Sequence, residues 1–361
     1  MISLLVFLFI LGILIVVHEL GHFMLARKVG VQVEKFSLGF GPKIVSKIVR
    51  DTEYDIRLIP LGGYVKLAGD NPEEYKGGRN EYLSKSPLQR ALIIFFGPLF
   101  NYILGFLCFW LIFFTGYPML TTKVGGLIDG LGAKAAGIQA GDKITGIEGK
   151  KVLFWEDIQK AVLAQKDKEV VGVSLLRGDK EYNIEVRLEQ RQLEDPIGGK
   201  RRVALLGIAP FMDEVVRVRH GIAESFVLSA GKIYEMTVLT YKALFKMATG
   251  ATSMRESLTG PLGIFYITSK AASIGLIAVL HLIAVISVSL GLFNLLPLPL
   301  LDGGHIFLLA VEKFRGRPLS PKSEQAITKI GLAMIIMLAA FVTYNDLMRF
   351  FGDKIASFFN R

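Results

Sequence analysis

The sequence predicts an α-helical polytopic membrane protein with a small α+β domain inserted between its spans. Of the 361 residues, 52% are hydrophobic, and many of them lie in long uninterrupted runs. A membrane-spanning helix needs about 20 mostly apolar residues. Four segments meet this requirement, at about 2–25, 91–117, 274–296 and 327–344. Residues 118–190, between the second and third segments, have the mixed composition of a soluble domain.

Basic residues predict the orientation of these spans. The net charge is +10, and Lys and Arg beside apolar segments favour the cytoplasmic side of a membrane. We therefore expect the N-terminus and residues 118–273 to lie outside the cytoplasm. No basic residue precedes Arg27, which favours a retained span over a cleaved signal peptide. Since no nucleic-acid recognition motif accompanies the charge, we expect the lipid bilayer as a partner and no nucleic acid.

The segment His18-Glu19-Leu20-Gly21-His22 carries the strongest chemical signal. Histidines four residues apart lie on one face of a helix and can bind one zinc ion, with the intervening glutamate beside them as general base. Here the motif lies inside the first apolar segment. Ionisable residues are costly in the hydrocarbon region and are usually functional. The sequence therefore predicts a catalytic zinc site in a membrane helix.

A catalytic zinc ion needs a third protein ligand and an open position for water. Glu34 is the first acidic candidate downstream, and Asp302 is the other, in a proline-interrupted segment at the end of the third span. Irregular backbone at membrane depth is tolerated only where it is buried in protein or lines a wet cavity. The expected topology places Asp302 on the same side of the membrane as His18 and His22, and this depth favours Asp302.

A β-hairpin is expected between the first two spans, within about 52–70. Apolar residues partly alternate from Tyr54 to Leu67, and Gly62-Gly63 provides a turn. Two roles are open. The hairpin is either a cytoplasmic cap or an element that dips toward the zinc and offers an edge strand to the substrate. For the second role, the candidate substrate-binding residues are Gly62, Gly63, Tyr64 and Val65.

The inserted domain is predicted from three β-type stretches and one helical stretch. The strands are expected at Lys143–Ile147, Val170–Leu176 and Glu181–Val186, and the helix at Phe154–Ala164. The region 191–273 is expected to hold a linker and amphipathic helices. The linker corresponds to the charged and polar stretch Arg187–Arg202. After it, Ile222–Met247 mixes apolar and charged residues, as in an amphipathic surface helix or helix pair.

Six motifs together carry a resemblance. They are HELGH at 18–22, SLGFGPK at 37–43, LGGYVKLAGD at 61–70, GPLFN at 97–101, TGPLGI at 259–264 and NLLPLPLLDGGH at 294–305. This set is similar to that of the site-2 protease family of intramembrane zinc metalloproteases, in its bacterial RseP-like branch. The resemblance covers nearly the whole chain.

The resemblance implies a zinc metalloendopeptidase that cleaves within the membrane. It implies His18, His22 and Asp302 as the ligands of one zinc ion and Glu19 as the catalytic acid/base. Asn294 matches a family asparagine that helps to position the substrate or to stabilise developing charge. The implied substrates are single-span membrane proteins of a bacterial inner membrane, for example anti-sigma factors or remnant signal peptides.

A second resemblance concerns the inserted domain. The stretches GIQAGDKI at 137–144 and EGKKV at 148–152 match a bacterial PDZ pattern, which implies one PDZ domain at 118–190. Such a domain either binds a C-terminal peptide or excludes substrates with bulky outer domains, and we favour exclusion. The candidate peptide-binding residues are Gly125, Gly126, Leu127 and Ile128.

Two alternatives to a protease stay open on the residues alone. A catalytically inactive membrane PDZ scaffold predicts a missing ligand or a missing glutamate. A zinc transporter predicts several polar sites along a path across the bilayer, whereas the candidate ligands here share one depth. The roles of Asn101 and His305 also stay open.

Overall fold

The computed structural model describes residues 2–194, 200–252, 259–317 and 320–359. The chain forms two compact units. The first lies within 1–112, 225–241 and 258–361, and the second within 113–224 and 242–257. Each unit is described by itself below.

The described residues form helices and strands in the following order along the chain. The helices are α1 (Ile2–Lys28), α2 (Pro87–Thr115), α3 (Gly132–Ala135), α4 (Trp155–Ala164), α5 (Ile222–Ala248), α6 (Pro261–Ile274), α7 (Leu276–Asn294), α8 (Asp302–Arg315) and α9 (Pro321–Phe359). The strands are β1 (Val33–Val49), β2 (Thr52–Leu67), β3 (Tyr117–Leu120), β4 (Val124–Leu127), β5 (Lys143–Ile147), β6 (Lys150–Lys151), β7 (Val170–Arg177), β8 (Lys180–Arg187), β9 (Glu189–Glu194), β10 (Lys200–Leu205), β11 (Ile208–Pro210) and β12 (Val215–Val218).

Four helices in the described part of the chain are long and apolar enough to cross a membrane. The stretches are Ser3–Lys28, Pro87–Thr115, Leu276–Asn294 and Gln325–Phe350. They lie in α1, α2, α7 and α9, and they confirm the prediction of a polytopic membrane protein. The amphipathic stretch after the inserted domain is one continuous helix, α5, and not a helix pair.

Glycines allow close packing of three of these helices. A Cβ at Gly21 of α1 would overlap the Phe96 carbonyl group of α2. At Gly291 of α7, a Cβ would stand 2.8 Å from the Pro98 carbonyl oxygen of α2. Small residues let membrane helices approach and gain van der Waals contact, because no hydrophobic force drives helices together within lipid. These contacts bring α1, α2 and α7 together around the predicted metal site.

The hairpin between the first two spans differs from the prediction. Tyr54–Leu67 reverses its direction, but its two arms both pair with segment 33–38 and not with each other, so the predicted hairpin with Gly62-Gly63 as its turn is wrong. Strand β2 pairs antiparallel with β1, and Val49 faces Thr52 across the turn. The turn is Arg50-Asp51, in which Arg50 takes a φ of 55°.

The physical reason for this error is that the glycines form bends. Gly39 and Gly41 of β1 and Gly62 of β2 take φ values of 93°, 83° and 147°, which glycine adopts without the steric cost that other residues have. Each strand therefore folds back on itself. The sheet has four segments in the spatial order 43–49, 52–57, 33–38 and 63–67. Segment 63–67 is an edge of this sheet within the described residues.

The second unit has an α+β architecture. Its main sheet has the order β6-β5-β7-β8, with every neighbouring pair antiparallel. Three two-stranded sheets of its described residues pair β11 with β4, β12 with β3 and β10 with β9. Helix α4 contributes Trp155, Ile158 and Val162 to the buried core, where they join Ile144 and Val173 of the main sheet.

The predicted linker at Arg187–Arg202 is wrong in its described part. Strand β8 continues to Arg187, and β9 pairs with β10 as a further hairpin. Residues 195–199 of the predicted linker lie outside the described residues. In β9, Gln190, Arg191 and Gln192 are all exposed. A strand that buries neither face lacks the apolar alternation from which strands are predicted, so its sequence resembles that of a loop.

Asp142 fixes the GIQAGDKI segment to strand β7. Its side chain is buried and accepts hydrogen bonds of 2.8 Å from Nε and Nη2 of Arg177 and from the Gln139 N–H. The hydrogen bonds from Arg177, the largest influence, lower the pKa of the Asp142 carboxyl against the opposing effect of burial. A lowered folded-state pKa means that this carboxylate stabilises the fold above its unfolded-state pKa.

We expect Asp142→Ala to lower the free energy of unfolding by about 3 kcal/mol, because the change leaves Arg177 without its buried partner. In the wild type, this stabilisation is complete above about pH 4 and declines as the pH falls through the lower folded-state pKa. Chemical denaturation of both full-length proteins in detergent, at several pH values, measures the difference. A difference that stays constant down to the lowest pH would contradict this role.

Candidate active site

Helix α1 places the two histidines of the HELGH motif side by side. His18 and His22 are one turn apart, and their Nε2 atoms are 3.2 Å from each other. The ring planes lie at 87° with centroids 4.8 Å apart. Both rings therefore direct the same nitrogen toward one point, as the sequence predicts.

Helix α2 fixes the orientation of both rings. His22 Nδ1 donates a hydrogen bond to the Ile93 carbonyl oxygen at 3.0 Å, which leaves the Nε2 lone pair free for a metal ion. His18 Nδ1 lies 3.1 Å from the Asn101 side-chain amide. Between these two contacts, a Cβ at Gly97 would overlap the His22 ring. The GPLFN motif thus forms the surface against which the rings pack.

Asp302 comes from the distant LDG segment. It begins α8, directly after the irregular stretch in which Leu300 takes a φ of 73°. Gly303 packs so closely on the Leu295 carbonyl that no Cβ would fit there. Asp302 Oδ2 lies 3.2 Å from His18 Nε2, and its Oδ1 lies 3.8 Å from His22 Nε2. The structure therefore brings Asp302 to the two histidines.

These three residues fit a zinc ion. Their donor atoms all lie within 4.8 Å of one another, and the alternative candidate, Glu34, is not in this group. Ligands at about 2.0–2.1 Å from a tetrahedral zinc ion stand about 3.3 Å apart, close to the 3.2–3.8 Å between the donor atoms here. Asp302 Oδ2 is buried and has no hydrogen-bond donor in the described part of the chain. A metal ion would satisfy this oxygen.

Glu19 lies between the two histidines and faces strand β2. The backbone N–H of Val65 interacts with the Glu19 carboxylate. A Cβ at Gly63 would lie 3.4 Å from Glu19 Cγ and 2.8 Å from Ile15 Cγ2. The absence of a side chain at Gly63 therefore lets the edge strand approach the carboxylate.

The other two predicted residues of this strand have different surroundings. Gly62 takes its positive φ next to the Phe40 ring. Tyr64 accepts a hydrogen bond of 3.0 Å from Arg57 Nη2 through its hydroxyl. Arg57 also donates a hydrogen bond to the buried Asp55. Burial raises the pKa of Asp55, but the hydrogen bonds from Arg57 and Ser37 have the larger combined effect, so the pKa of Asp55 is lowered. This network stiffens the sheet beside Glu19.

Asn294 and His305 make no side-chain hydrogen bond to the three donor residues in the described part of the chain. Asn294 is the half-buried last residue of α7, and no hydrogen bond joins it to His18, His22 or Asp302 within the described residues. His305 is exposed. The asparagine that contacts a histidine of the site is Asn101. The sequence signal for Asn101 is its four-residue spacing from Gly97 in GPLFN, which places both residues on one face of α2 but does not say which helix that face meets.

The candidate peptide-binding residues Gly125–Ile128 belong to the second unit. Gly125, Gly126 and Leu127 lie in β4, where Leu127 pairs with Ile208 and Gly126 with Ala209 of β11. Ile128 follows the strand, and its N–H donates to the Gly207 carbonyl oxygen. One edge of this segment is therefore already occupied by β11.

The described residues combine four helices that could span a membrane with a His–His–Asp cluster that could hold a metal ion and an adjacent glutamate. A family model described as Peptidase family M50 matches residues 6–338. The chain is 32% identical to a Campylobacter jejuni protein named as a zinc metalloprotease, over 95% of this chain and 93% of that protein. It is 28% identical to the zinc metalloprotease RasP of Geobacillus kaustophilus, over 97% and 98% of the two chains.

The chain belongs to peptidase family M50. It is a membrane metalloprotease of the site-2 protease type, and its cofactor is zinc. This finding confirms the resemblance on which the enzyme class and the cofactor were predicted. It favours the protease over the inactive scaffold and the zinc transporter.

We expect Asn101→Leu to weaken zinc binding by about 10- to 100-fold, the usual cost of removing a group that orients a metal ligand. The change removes the amide at His18 Nδ1 and keeps a similar volume. Zinc affinity, measured by competition with a chelator, checks this expectation. Phe100→Leu, next to Asn101 in the same helix, is the control. Equal affinity of Asn101→Leu and the control would contradict an orienting role for Asn101.

Proposed function

We propose that this protein is an intramembrane endopeptidase that cleaves transmembrane segments of single-span membrane proteins. One observation carries the proposal. His18, Glu19 and His22 lie inside a helix that is long and apolar enough to span a membrane, so the substrate bond must reach a site at membrane depth. Anti-sigma factors and remnant signal peptides are the substrates that we expect in a bacterial inner membrane.

In this proposal, His18, His22 and Asp302 hold the zinc ion. When bound, zinc lowers the pKa of a water molecule toward about 7 and polarises the substrate carbonyl. Glu19 accepts the proton of the attacking water and returns it to the leaving nitrogen. Asn294, half-buried at the end of α7, is proposed to position the substrate.

The proposed substrate site is the outer edge of β2. A helical substrate shields its carbonyl groups by internal hydrogen bonds, so the cleaved stretch must be extended. Segment 63–67 pairs with 33–38 on one side, and on the other side the Val65 N–H is directed to Glu19. An extended substrate that adds to this edge would bring its backbone beside Glu19. Gly63 and Tyr64 belong to the same edge, and Gly62 forms the bend that precedes it.

For the second unit we propose the role of a PDZ domain. The α+β fold around the GIQAGDKI segment supports this role. We propose that it excludes substrates with bulky outer domains, and that binding of a C-terminal peptide near Gly125–Ile128 is its alternative use. We also propose that this unit and the N-terminus lie outside the cytoplasm, because Arg27, Lys28 and the basic end of α8 mark the opposite side.

We expect Glu19→Gln to keep zinc and to lose cleavage of a model single-span substrate by at least about 10²-fold, because the amide cannot accept the proton of water. Zinc content and the cleavage rate in detergent or liposomes measure the two effects separately. The matched control is Glu34→Gln, which makes the same chemical change at a residue outside the His18–His22–Asp302 group. Substantial cleavage by Glu19→Gln would rule out the proposed mechanism.

We expect Val65→Pro to reduce cleavage about 10-fold or more without loss of zinc. Proline removes an outward N–H from an edge strand, a position at which it is otherwise tolerated. Val65→Ala, which trims the side chain and keeps the N–H, is the control and should cleave at nearly the wild-type rate. If both variants cleave equally well, the substrate does not add to this edge.

A further inference from the structure

A buried ion pair near the metal site has no part in the chemistry described above. Arg90 Nη2 of α2 donates to Glu312 Oε1 of α8 at 2.5 Å, and the side chains are only 10% and 17% exposed. Removing two charges from water costs several kcal/mol per ion, so a buried pair is weak evidence for a stabilising role. The position of the Arg90–Glu312 pair indicates an orienting role instead.

Arg90 lies on the face of α2 that builds the site. Arg90, Ile93, Gly97 and Asn101 follow one another at intervals of three and four residues, so they share one side of the helix. All four are buried. Ile93 and Asn101 fix the rings of His22 and His18, so the ion pair continues the same row of contacts.

Glu312 lies on the helix that begins with Asp302. About 15 Å of helix separates residues ten apart, and the buried Leu309 lies between Asp302 and Glu312 on a similar face. Helix α8 therefore meets the α1–α2 part of the site at two points. Asp302 contacts His18 at one point, and Glu312 contacts Arg90 at the other. A helix held at one point can pivot, whereas two points fix its direction.

We propose that Arg90 and Glu312 are positioning residues that orient α8 and thereby hold Asp302 at the distance from the two histidines that zinc requires. This inference rests on the proposed function, because it concerns the same metal site. Arg90 Nε supports it, since this buried donor has no acceptor among the described residues. An unpaired buried donor leaves part of the desolvation cost of the ion pair uncompensated, which favours an orienting role over a stabilising one.

The test compares Arg90→Gln and Glu312→Gln with the wild-type protein. The first measurement is the rate of zinc release into excess chelator. The second is the visible absorption spectrum of the cobalt(II)-substituted protein, which reports the ligand geometry. We expect each variant to release zinc about 10-fold faster or more and to show an altered cobalt spectrum. Arg90→Lys keeps the charge and should release zinc at a rate close to that of the wild type.

The control is Glu74→Gln, which removes the partially exposed ion pair of Glu74 with Lys66 in the same unit and should change neither measurement. Zinc release and cobalt spectra like those of the wild type in both Arg90→Gln and Glu312→Gln would overturn the proposal. So would an equal loss of thermal stability in the zinc-bound and zinc-free proteins, which would indicate a general structural role. If Arg90→Gln does not fold, the result for Glu312→Gln alone tests the proposal, because glutamine keeps the shape of the glutamate side chain.

These outcomes are distinguishable from failure of the proposed function. A wild-type protein that binds no zinc would refute the metal site itself. A wild-type protein that binds zinc, together with unaffected variants, would refute only the positioning role of Arg90 and Glu312.

Discussion

The close approach of α1 and α2 is the constraint on which the rest of the site depends. Imidazole rings within a membrane helix need partners, because lipid offers none. Gly21 and Gly97 remove the side chains that would keep the two helices apart. The Ile93 carbonyl and the Asn101 amide then come within hydrogen-bond distance of the rings. The same contact that packs the helices thus also orients both rings, and the Ile93 carbonyl selects Nε2 as the nitrogen that His22 presents to a metal ion.

Much of this site could be predicted from the sequence, for identifiable physical reasons. The clustering of His18, Glu19 and His22 can be predicted directly, because residues three and four apart lie on the same face of a helix. Asp302 follows from the expected membrane depth, since span lengths and basic flanks predict that both parts of the site lie on one side of the membrane. The partners of the rings could not be predicted in the same way. The Ile93 contact uses a backbone carbonyl, which has no residue signature, and the Asn101 contact depends on the rotation of α2 about its axis.

The errors in strand prediction have a common cause. Gly62-Gly63 was predicted as a turn, because glycine permits positive φ. The same freedom also permits a bend within a strand, and the surrounding residues decide between the two. Here Arg50-Asp51 forms the turn, and Gly62-Gly63 lies where β2 must pass close to α1. The bend at Gly62, which made the turn prediction wrong, also places segment 63–67 beside Glu19.

A site divided between α1 and α8 has a consequence for the whole membrane domain. Its three candidate donor residues come from segments separated by most of the chain. Zinc bound by them would join elements that the chain itself connects only through long intervening segments. A ligand that binds only the assembled state stabilises that state, and metal affinity is then inseparable from helix arrangement. Because apolar burial does not drive helices together in lipid, a metal ion shared by two helices is one of the few interactions that can hold them together there. Asp302 Oδ2 has no hydrogen-bond donor among the described residues, and an ion held between α1 and α8 would satisfy this oxygen.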